Sequence, residues 1–212
     1  MSKPGNETER SRTYWETRYT ANGVSRRTPE DVEWKVIDKY IPHIDNVLDV
    51  GCGDLTFWTN TGRNCNHYVG LDISPTIIDR NRRLMPHWSF IASPAETYIK
   101  DLHAENVLCF DLIFHILEKE NFDIICENLR RYSTKRVVVS AWLESPFLVG
   151  DTDGRYQRYF NFDEQFDRFL TEGFHCIQPI TVIRYDVRNY SKESGTKPEV
   201  RKAIYVFERV GG

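Results

Sequence analysis

The feature that most constrains the fold is a short apolar segment that runs directly into a glycine turn. Residues 46–50 read NVLDV, and the triplet GCG, which ends at Gly53, follows them. Glycine lets the backbone turn sharply and approach a ligand with no Cβ in the way. A second apolar segment, residues 68–73, carries Asp72 near its end, 19 residues after Gly53. A strand, a glycine turn, a helix and an acid at the end of the next strand form the pattern of a nucleotide site.

Strand and helix patterns alternate from this turn to residue 142, which predicts a parallel sheet covered by helices on both faces. Strands are predicted at residues 46–50, 68–73, 89–92, 105–110 and 136–142, and helices at 29–40, 74–84 and 118–132. Beyond them we expect a helix at 161–171 and strands at 174–177, 181–185 and 203–208. The close spacing of the last strands predicts an antiparallel strand at the C-terminal edge of the sheet.

Composition excludes several other classes of protein. A length of 212 residues predicts one domain, and 28 basic against 31 acidic residues give no basic excess for nucleic acid. No apolar run approaches the roughly 18–20 residues of a membrane span, and the N-terminus has no apolar signal segment. The five cysteines form no CxxC pair, so we expect reduced thiols in a cytoplasmic protein and no metal site.

Two features of the glycine turn argue against a dinucleotide. The third glycine of the GxGxxG pattern is missing, because the turn continues as Asp54, Leu55 and Thr56. Asp49 lies in the strand just before the turn, where its carboxylate would repel a pyrophosphate. The same carboxylate would suit a ligand that carries an ammonium group.

With these motifs the sequence resembles the class I S-adenosylmethionine-dependent methyltransferases. VLDVGCGD at 47–54 is similar to their first motif, VGLDIS at 69–74 to their second and ENVLCFDLIFHI at 105–116 to their fourth. The resemblance covers residues 46–142, and the general layout extends to Phe207. It implies a Rossmann-like, doubly wound α/β fold with a mostly parallel seven-stranded sheet and an antiparallel C-terminal strand. It also implies S-adenosyl-L-methionine as cofactor and S-adenosyl-L-homocysteine as product.

The resemblance implies a set of cofactor contacts. Gly51 and Gly53 form the turn at the methionine part of the cofactor, Asp72 binds the ribose and Asp49 lies near the methionine ammonium. The full predicted set is Asp49, Gly51, Cys52, Gly53, Asp72, Ile73, Ser93, Ala95, Phe110, Asp111, Tyr14 and Arg18.

The sequence departs from the family pattern at two places. Leu55 stands where the family usually has a glycine, which narrows the freedom of the loop. The third motif usually offers an acid to the adenine amino group. The matching stretch, IASPAE at 91–96, has Ala92 or Ser93 where that acid is expected, so we predict contact through Ser93 and Ala95 instead.

His115 is the candidate catalytic residue, because it follows the fourth strand at the sheet edge where ligand sites of open α/β folds lie. A neutral imidazole there takes a proton from a hydroxyl during methyl transfer. The alternative is a histidine that packs against the cofactor or caps the next helix. Asp111, on the same turn, either orients a substrate group or accepts a backbone hydrogen bond.

Two further segments are candidates for the acceptor side. Residues 14–19 (YWETRY) form either a flap that closes over the cofactor, with Arg18 pairing its carboxylate, or an aromatic helix packed on the sheet. The segment 142–160 carries Arg155 and Arg158, which favour a carboxylate or phosphate on the substrate unless the segment is simply an exposed loop. The predicted substrate residues are Trp15, Tyr19, Trp142, Arg155, Tyr156 and Arg158.

These segments give a domain scheme of four parts. A loose tail at 1–12 precedes a single domain at 13–212. Within the domain we expect a helical cap at 13–45, a cofactor-binding core at 46–142 and an acceptor-side insertion with the last strands at 143–212.

The leading hypothesis is a methyltransferase for a small polar acceptor, with oxygen favoured over nitrogen because of His115. We expect a monomer or homodimer with no nucleic-acid or membrane partner. One alternative keeps the fold and changes the acceptor to RNA or protein, and another is a catalytically silent protein that only binds through this fold. An NAD-dependent reductase is disfavoured by the glycine pattern and by the absence of a suitably placed YxxxK pair.

Overall fold

The computed structural model describes residues 5–21, 23, 32–60, 62–145, 156–177, 181–186 and 199–211. In chain order the helices are α1 (Gly5–Thr20), α2 (Val32–Tyr40), α3 (Thr56–Thr59), α4 (Pro75–Leu84), α5 (Lys119–Tyr132) and α6 (Asp163–Thr171). The strands are β1 (Val47–Val50), β2 (Tyr68–Asp72), β3 (Ser89–Ala92), β4 (Ala104–Cys109), β5 (Ser133–Trp142), β6 (Phe174–Cys176), β7 (Thr181–Asp186) and β8 (Glu199–Arg209). A short 3₁₀ turn, Ile113–His115, lies between β4 and α5.

These strands form one mixed sheet in the order β3-β2-β1-β4-β5-β8-β6, with β7 also paired to β8. The first five are parallel to one another, and β8 runs antiparallel to β5. The long β8 pairs with β7 through its first half and with β6 through its last residues. Eight strands of the described chain therefore fill seven positions, which confirms the mostly parallel sheet with an antiparallel C-terminal strand.

Helices cover both faces of the sheet. Because successive side chains of a strand point to opposite faces, each strand contributes apolar residues to both cores. Leu48 and Val50 of β1 face the core formed with α5 and α6, whereas Val47 faces the core formed with α2, α3 and α4. Helix α4 begins as its sequence predicts: Ser74 is the N-cap, its hydroxyl accepts the Ile77 N–H at 3.2 Å, and Pro75 opens the helix.

The N-terminal segment differs from the predicted loose tail. Residues 5–20 form α1, and Glu7 within the expected tail is only 3 % exposed. The polar composition of this segment predicts a tail, because the segment has no apolar stripe. In the structure, Glu7 and Glu16 of α1 hydrogen-bond to other elements and thereby anchor the helix. No helix in the described ranges has the length and apolar character needed to cross a membrane.

Candidate functional site

The turn after β1 adopts the left-handed backbone that its glycines predict. Gly51 has φ +78° and Gly53 has φ +53°. A Cβ at Gly51 would lie 3.0 Å from the Leu112 Cβ, so glycine also lets the loop after β4 approach closely. Leu55, in place of the family glycine, keeps a left-handed φ of +59°. This backbone costs a residue with a Cβ about 1–2 kcal/mol, which the complete burial of the leucine side chain offsets.

The Asp72 carboxylate closes the same turn from the end of β2. Its Oδ2 accepts the Gly53 N–H at 3.0 Å and its Oδ1 accepts the Ser74 N–H at 3.0 Å. Burial raises the pKa of Asp72 to about 6, although the two backbone hydrogen bonds act in the opposite direction. The sequence therefore places a titratable acceptor at the carboxyl end of the sheet.

A pocket of about 90 Å³ lies beside Asp72, at the carboxyl ends of the parallel strands. It is lined by residues from α1 and from the loops after β1, β2, β3 and β4: Ser11, Trp15, Tyr19, Gly51, Leu71, Asp72, Ile73, Ala95, Glu96, Asp111, Leu112, His115 and Ile116. Besides Asp72, this wall contains seven residues that the sequence predicts for cofactor binding, substrate binding or catalysis. They are Gly51, Ile73, Ala95, Asp111, His115, Trp15 and Tyr19.

His115 has a defined hydrogen bond within this wall. Its Nδ1 lies 2.6 Å from the Tyr156 carbonyl oxygen. A carbonyl only accepts, so the neutral imidazole carries its proton on Nδ1 and its lone pair on Nε2. The Trp15 ring packs edge-on against the imidazole at 4.9 Å between ring centroids. The ring is thus oriented from both sides, and in its neutral form Nε2 is the nitrogen without a proton.

Two residues predicted to contact the cofactor point into the core instead. The Asp49 Oδ2 accepts hydrogen bonds from Trp58 Nε1 at 2.8 Å and from the Tyr68 hydroxyl at 2.9 Å. Strand alternation directs Asp49 to the face covered by α3, so it is not part of the pocket wall. Cys52 packs against Gly70 on the same face, and burial raises the pKa of its thiol well above the ordinary value. It fills space beside the turn.

Three more predicted contacts also lie outside the pocket wall: Gly53, whose N–H donates to Asp72, together with Phe110 and Ser93. Phe110 is buried, and its ring packs 4.9 Å from that of Phe57. Ser93 bonds within its own loop: its N–H donates to the Asp72 carbonyl at 2.9 Å and its hydroxyl to the Pro94 carbonyl at 3.4 Å. Ser93 therefore supports the end of β2 rather than the pocket.

Tyr14 and Arg18 lie on the outer side of α1, away from the pocket. The Tyr14 ring stacks on Tyr156 with 4.6 Å between centroids, and both rings line an open depression of about 510 Å³ together with Arg18. The Arg18 guanidinium also lies 5.5 Å from the centroid of the Trp15 ring. A contact from either residue to a ligand in the inner pocket would require α1 to move.

The remaining substrate candidates do not form one cluster. The Arg158 guanidinium donates to the Leu117 carbonyl at 2.6 Å and lies over the Phe160 ring, so its packing explains it without a ligand. Trp142 packs against Phe114 with 5.6 Å between centroids. Arg155 lies outside the described residues.

Sequence reasoning missed the carboxylate of Glu96, which lies in the pocket wall. Glu96 is the acidic residue of the IASPAE stretch, three residues after Ser93. Thr8 of α1 donates a hydrogen bond to Glu96. The sequence does show this acid, at the end of the IASPAE stretch, but not at position 92 or 93, where the family pattern led us to expect one.

The chain was compared with known families and with solved structures. Residues 47–135 match a family model described as a methyltransferase domain. A search of curated protein sequences finds no significant match.

Similar folds occur in solved structures of methyltransferases with bound S-adenosylhomocysteine. Magnesium protoporphyrin IX methyltransferase from Synechocystis PCC 6803, with bound S-adenosylhomocysteine, has TM-score 0.65 and 14 % identity over 96 % of this chain and 99 % of that chain. The 1,6-didemethyltoxoflavin-N1-methyltransferase of Burkholderia thailandensis has TM-score 0.64 and 12 % identity over 99 % and 92 %. An N-methyltransferase from Bradyrhizobium japonicum WM9 has TM-score 0.61 and 13 % identity over 96 % and 97 %. At these identities the likeness concerns the fold.

Proposed function

We propose that this chain is an S-adenosylmethionine-dependent methyltransferase that methylates a small polar acceptor, at oxygen rather than nitrogen. Residues 47–135 match a methyltransferase-domain model, and the fold is shared with methyltransferases of known structure. The cofactor site is the pocket at the carboxyl ends of β1, β2 and β4. The single observation that carries the oxygen preference is the 2.6 Å contact between His115 Nδ1 and the Tyr156 carbonyl oxygen, from which we infer the tautomer with its proton on Nδ1.

The residues present suit this cofactor. Asp72 is a buried carboxylate that accepts hydrogen bonds from ribose hydroxyls, and Glu96 accepts one from the adenine amino group. Gly51 lines the same pocket and would offer its backbone to the methionine part. A pocket of about 90 Å³ is smaller than the roughly 300–1,000 Å³ usual for ligands of this size, so α1 moves outward when the cofactor enters.

His115 acts as the general base. S-adenosylmethionine would be held by Asp72, Glu96 and the turn at Gly51 and would supply an activated methyl group for transfer to the acceptor oxygen, leaving as S-adenosylhomocysteine. The acceptor hydroxyl gives its proton to Nε2, because Nδ1 already carries one. The hydrogen bond to Tyr156 and the packing against Trp15 hold the ring for that transfer. An amine needs such a base less than an alcohol does, hence the preference for oxygen.

A small acceptor suits this site better than a macromolecule. The net charge of −3 gives little attraction for RNA. Named activities of two similar structures concern the small molecules magnesium protoporphyrin IX and 1,6-didemethyltoxoflavin, one of them methylated at nitrogen. We place the protein in the cytoplasm, because all five cysteines, which lie in the described part of the chain, are free thiols. The alternative is a catalytically silent protein that only binds through this fold. Detection of methyl transfer by the purified chain would exclude it.

His115→Ala tests the proposal. The chain is screened with hydroxyl- and amine-bearing metabolites for the formation of S-adenosylhomocysteine. With an acceptor found, His115→Ala is expected to lower turnover by about 10²- to 10⁴-fold, the usual contribution of a general base. Affinity for S-adenosylhomocysteine should change little, and His103→Ala, an exposed histidine, serves as control.

Two results would contradict the proposal. Equal losses of turnover and cofactor affinity in His115→Ala would make His115 a packing residue. Turnover that is found only with amine acceptors would exclude the preference for oxygen.

A further inference from the structure

Lys202 is a buried cation at a position where the strand pattern calls for an apolar residue. It is in phase with Ile204 and Val206 of β8, so all three side chains project to the same face of the sheet. Ile204 and Val206 belong to the core on that face, and Lys202 itself is 2 % exposed. Lysine is almost never buried to this extent unless its charge is paired.

Lys202 forms an ion pair with Asp111, a residue of the pocket wall. The Lys202 Nζ lies 2.6 Å from the Asp111 Oδ1. Ser140 of β5 joins the pair: its hydroxyl accepts the Asp111 N–H at 2.9 Å and donates to the same Oδ1 at 3.3 Å. The neighbouring strands β5 and β8 thus hold both the carboxylate and the backbone N–H of Asp111.

Asp111 needs this support because its backbone is strained. Its φ of +55° is uncommon for a residue with a side chain, and such conformations persist where the surroundings over-determine them. Ser140 and Lys202 supply three contacts to this one residue. A buried ion pair is a weak source of stability, so stability alone does not account for a lysine here.

The strained residue begins the loop that forms one side of the pocket. Asp111, Leu112, His115 and Ile116 all line it. Leu112 also packs where Gly51 has no Cβ, so the loop and the glycine turn fit against each other. A shift at Asp111 would therefore move the pocket wall and the imidazole together.

We propose that Lys202 is a positioning residue for this site: through the Asp111 carboxylate it holds the loop of residues 111–116 in the conformation that binds the cofactor and presents His115. This inference rests on the proposed function. Lys202 itself does not line the pocket and acts through Asp111.

The test measures the affinity of the full chain for S-adenosylhomocysteine by calorimetry, at a temperature where every variant is folded by circular dichroism. Lys202→Met removes the charge and is expected to weaken binding at least tenfold. Ser140→Ala, a mild change that leaves the lysine in place, should weaken it by a smaller factor. The matched control is Arg130→Met, since Arg130 is an equally buried cation, paired with Glu172 outside the pocket wall.

The outcomes below either support or overturn the positioning role of Lys202. Weaker binding in Lys202→Met and Ser140→Ala, with Arg130→Met within threefold of the unaltered chain, supports the positioning role. Should Lys202→Met fail to fold, Ser140→Ala alone decides by the same criterion. Wild-type affinity in the variants at Lys202 and Ser140, or an equal loss in Arg130→Met, overturns this role and leaves the proposed function intact. Failure of the unaltered chain to bind contradicts the proposed function and this inference with it.

Discussion

Among single residues, Asp72 combines burial with a task that needs its charge. Its pKa of about 6 lies above the ordinary 3.8, so the folded chain binds this proton more tightly than the unfolded chain does. The contribution of Asp72 to stability is therefore full below pH 4 and is lost as the pH rises through about 6. The proposed ribose contact, which needs the ionised carboxylate, therefore coincides with lower stability at neutral pH.

Asp72→Asn should reverse that loss. We expect the free energy of unfolding of the variant, relative to the unaltered chain, to rise by up to about 3 kcal/mol between pH 4 and pH 7. Urea unfolding at a series of pH values measures it. Asp45→Asn is the control, because hydrogen bonds from the His67 and Asn46 N–H groups lower the pKa of Asp45. Its difference from the unaltered chain should stay nearly constant between pH 4 and pH 7 and change, with the opposite sign, only below pH 4. A difference for Asp72→Asn that stays constant with pH would contradict the assigned pKa of Asp72.

The sequence predicts residues of the site where the local backbone decides their position. Gly51 and Asp72 follow directly from a strand end and a tight turn. Asp49 and Cys52 do not, because the face to which each points depends on strand alternation and on what covers that face. Leu55 shows a further limit: its left-handed backbone is retained without glycine, which no propensity predicts.

Among the elements, α1 is the one whose role sequence patterns predict least. It lacks an apolar stripe, and its attachment depends on carboxylates that reach other helices. The Glu7 carboxylate accepts the N–H groups of Leu117 and Glu118 at 2.6 and 3.2 Å, where α5 begins. Glu16 accepts the Thr76 N–H at 3.2 Å in the first turn of α4. These acids stabilise helix N-termini, and in doing so they hold α1 across the pocket.

Glu7→Gln should loosen this cover. Loss of a charge at a helix N-terminus in a partly buried site costs about 1–2 kcal/mol, so α1 would leave the pocket about 5- to 30-fold more often. Association and dissociation rates of S-adenosylhomocysteine, followed by stopped-flow fluorescence, should both rise. Glu9→Gln is the control, since Glu9 is exposed on the same helix and pairs with Arg12. Unchanged rates in Glu7→Gln, or equal increases in both variants, would contradict a covering role for α1.

At the scale of the whole molecule, parallel strands bring distant parts of the chain to one edge. Asp72 ends β2, while Gly51, Glu96 and His115 follow β1, β3 and β4, yet all four line one pocket. The alternating pattern predicts that meeting, because the carboxyl ends of parallel strands share an edge. It does not predict Lys202, which belongs to the antiparallel β8 and reaches this edge from the opposite direction.

The most direct test is a calorimetric titration of the full chain with S-adenosylhomocysteine, with NADH alongside. We expect a dissociation constant on the order of micromolar for the adenosyl compound and no binding of NADH. Asp72→Ala should weaken binding at least about 100-fold, because it removes hydrogen bonds to a charged group, whereas Asp45→Ala, outside the pocket wall, should not. Absence of binding by the unaltered chain, or undiminished binding in Asp72→Ala, would contradict the account.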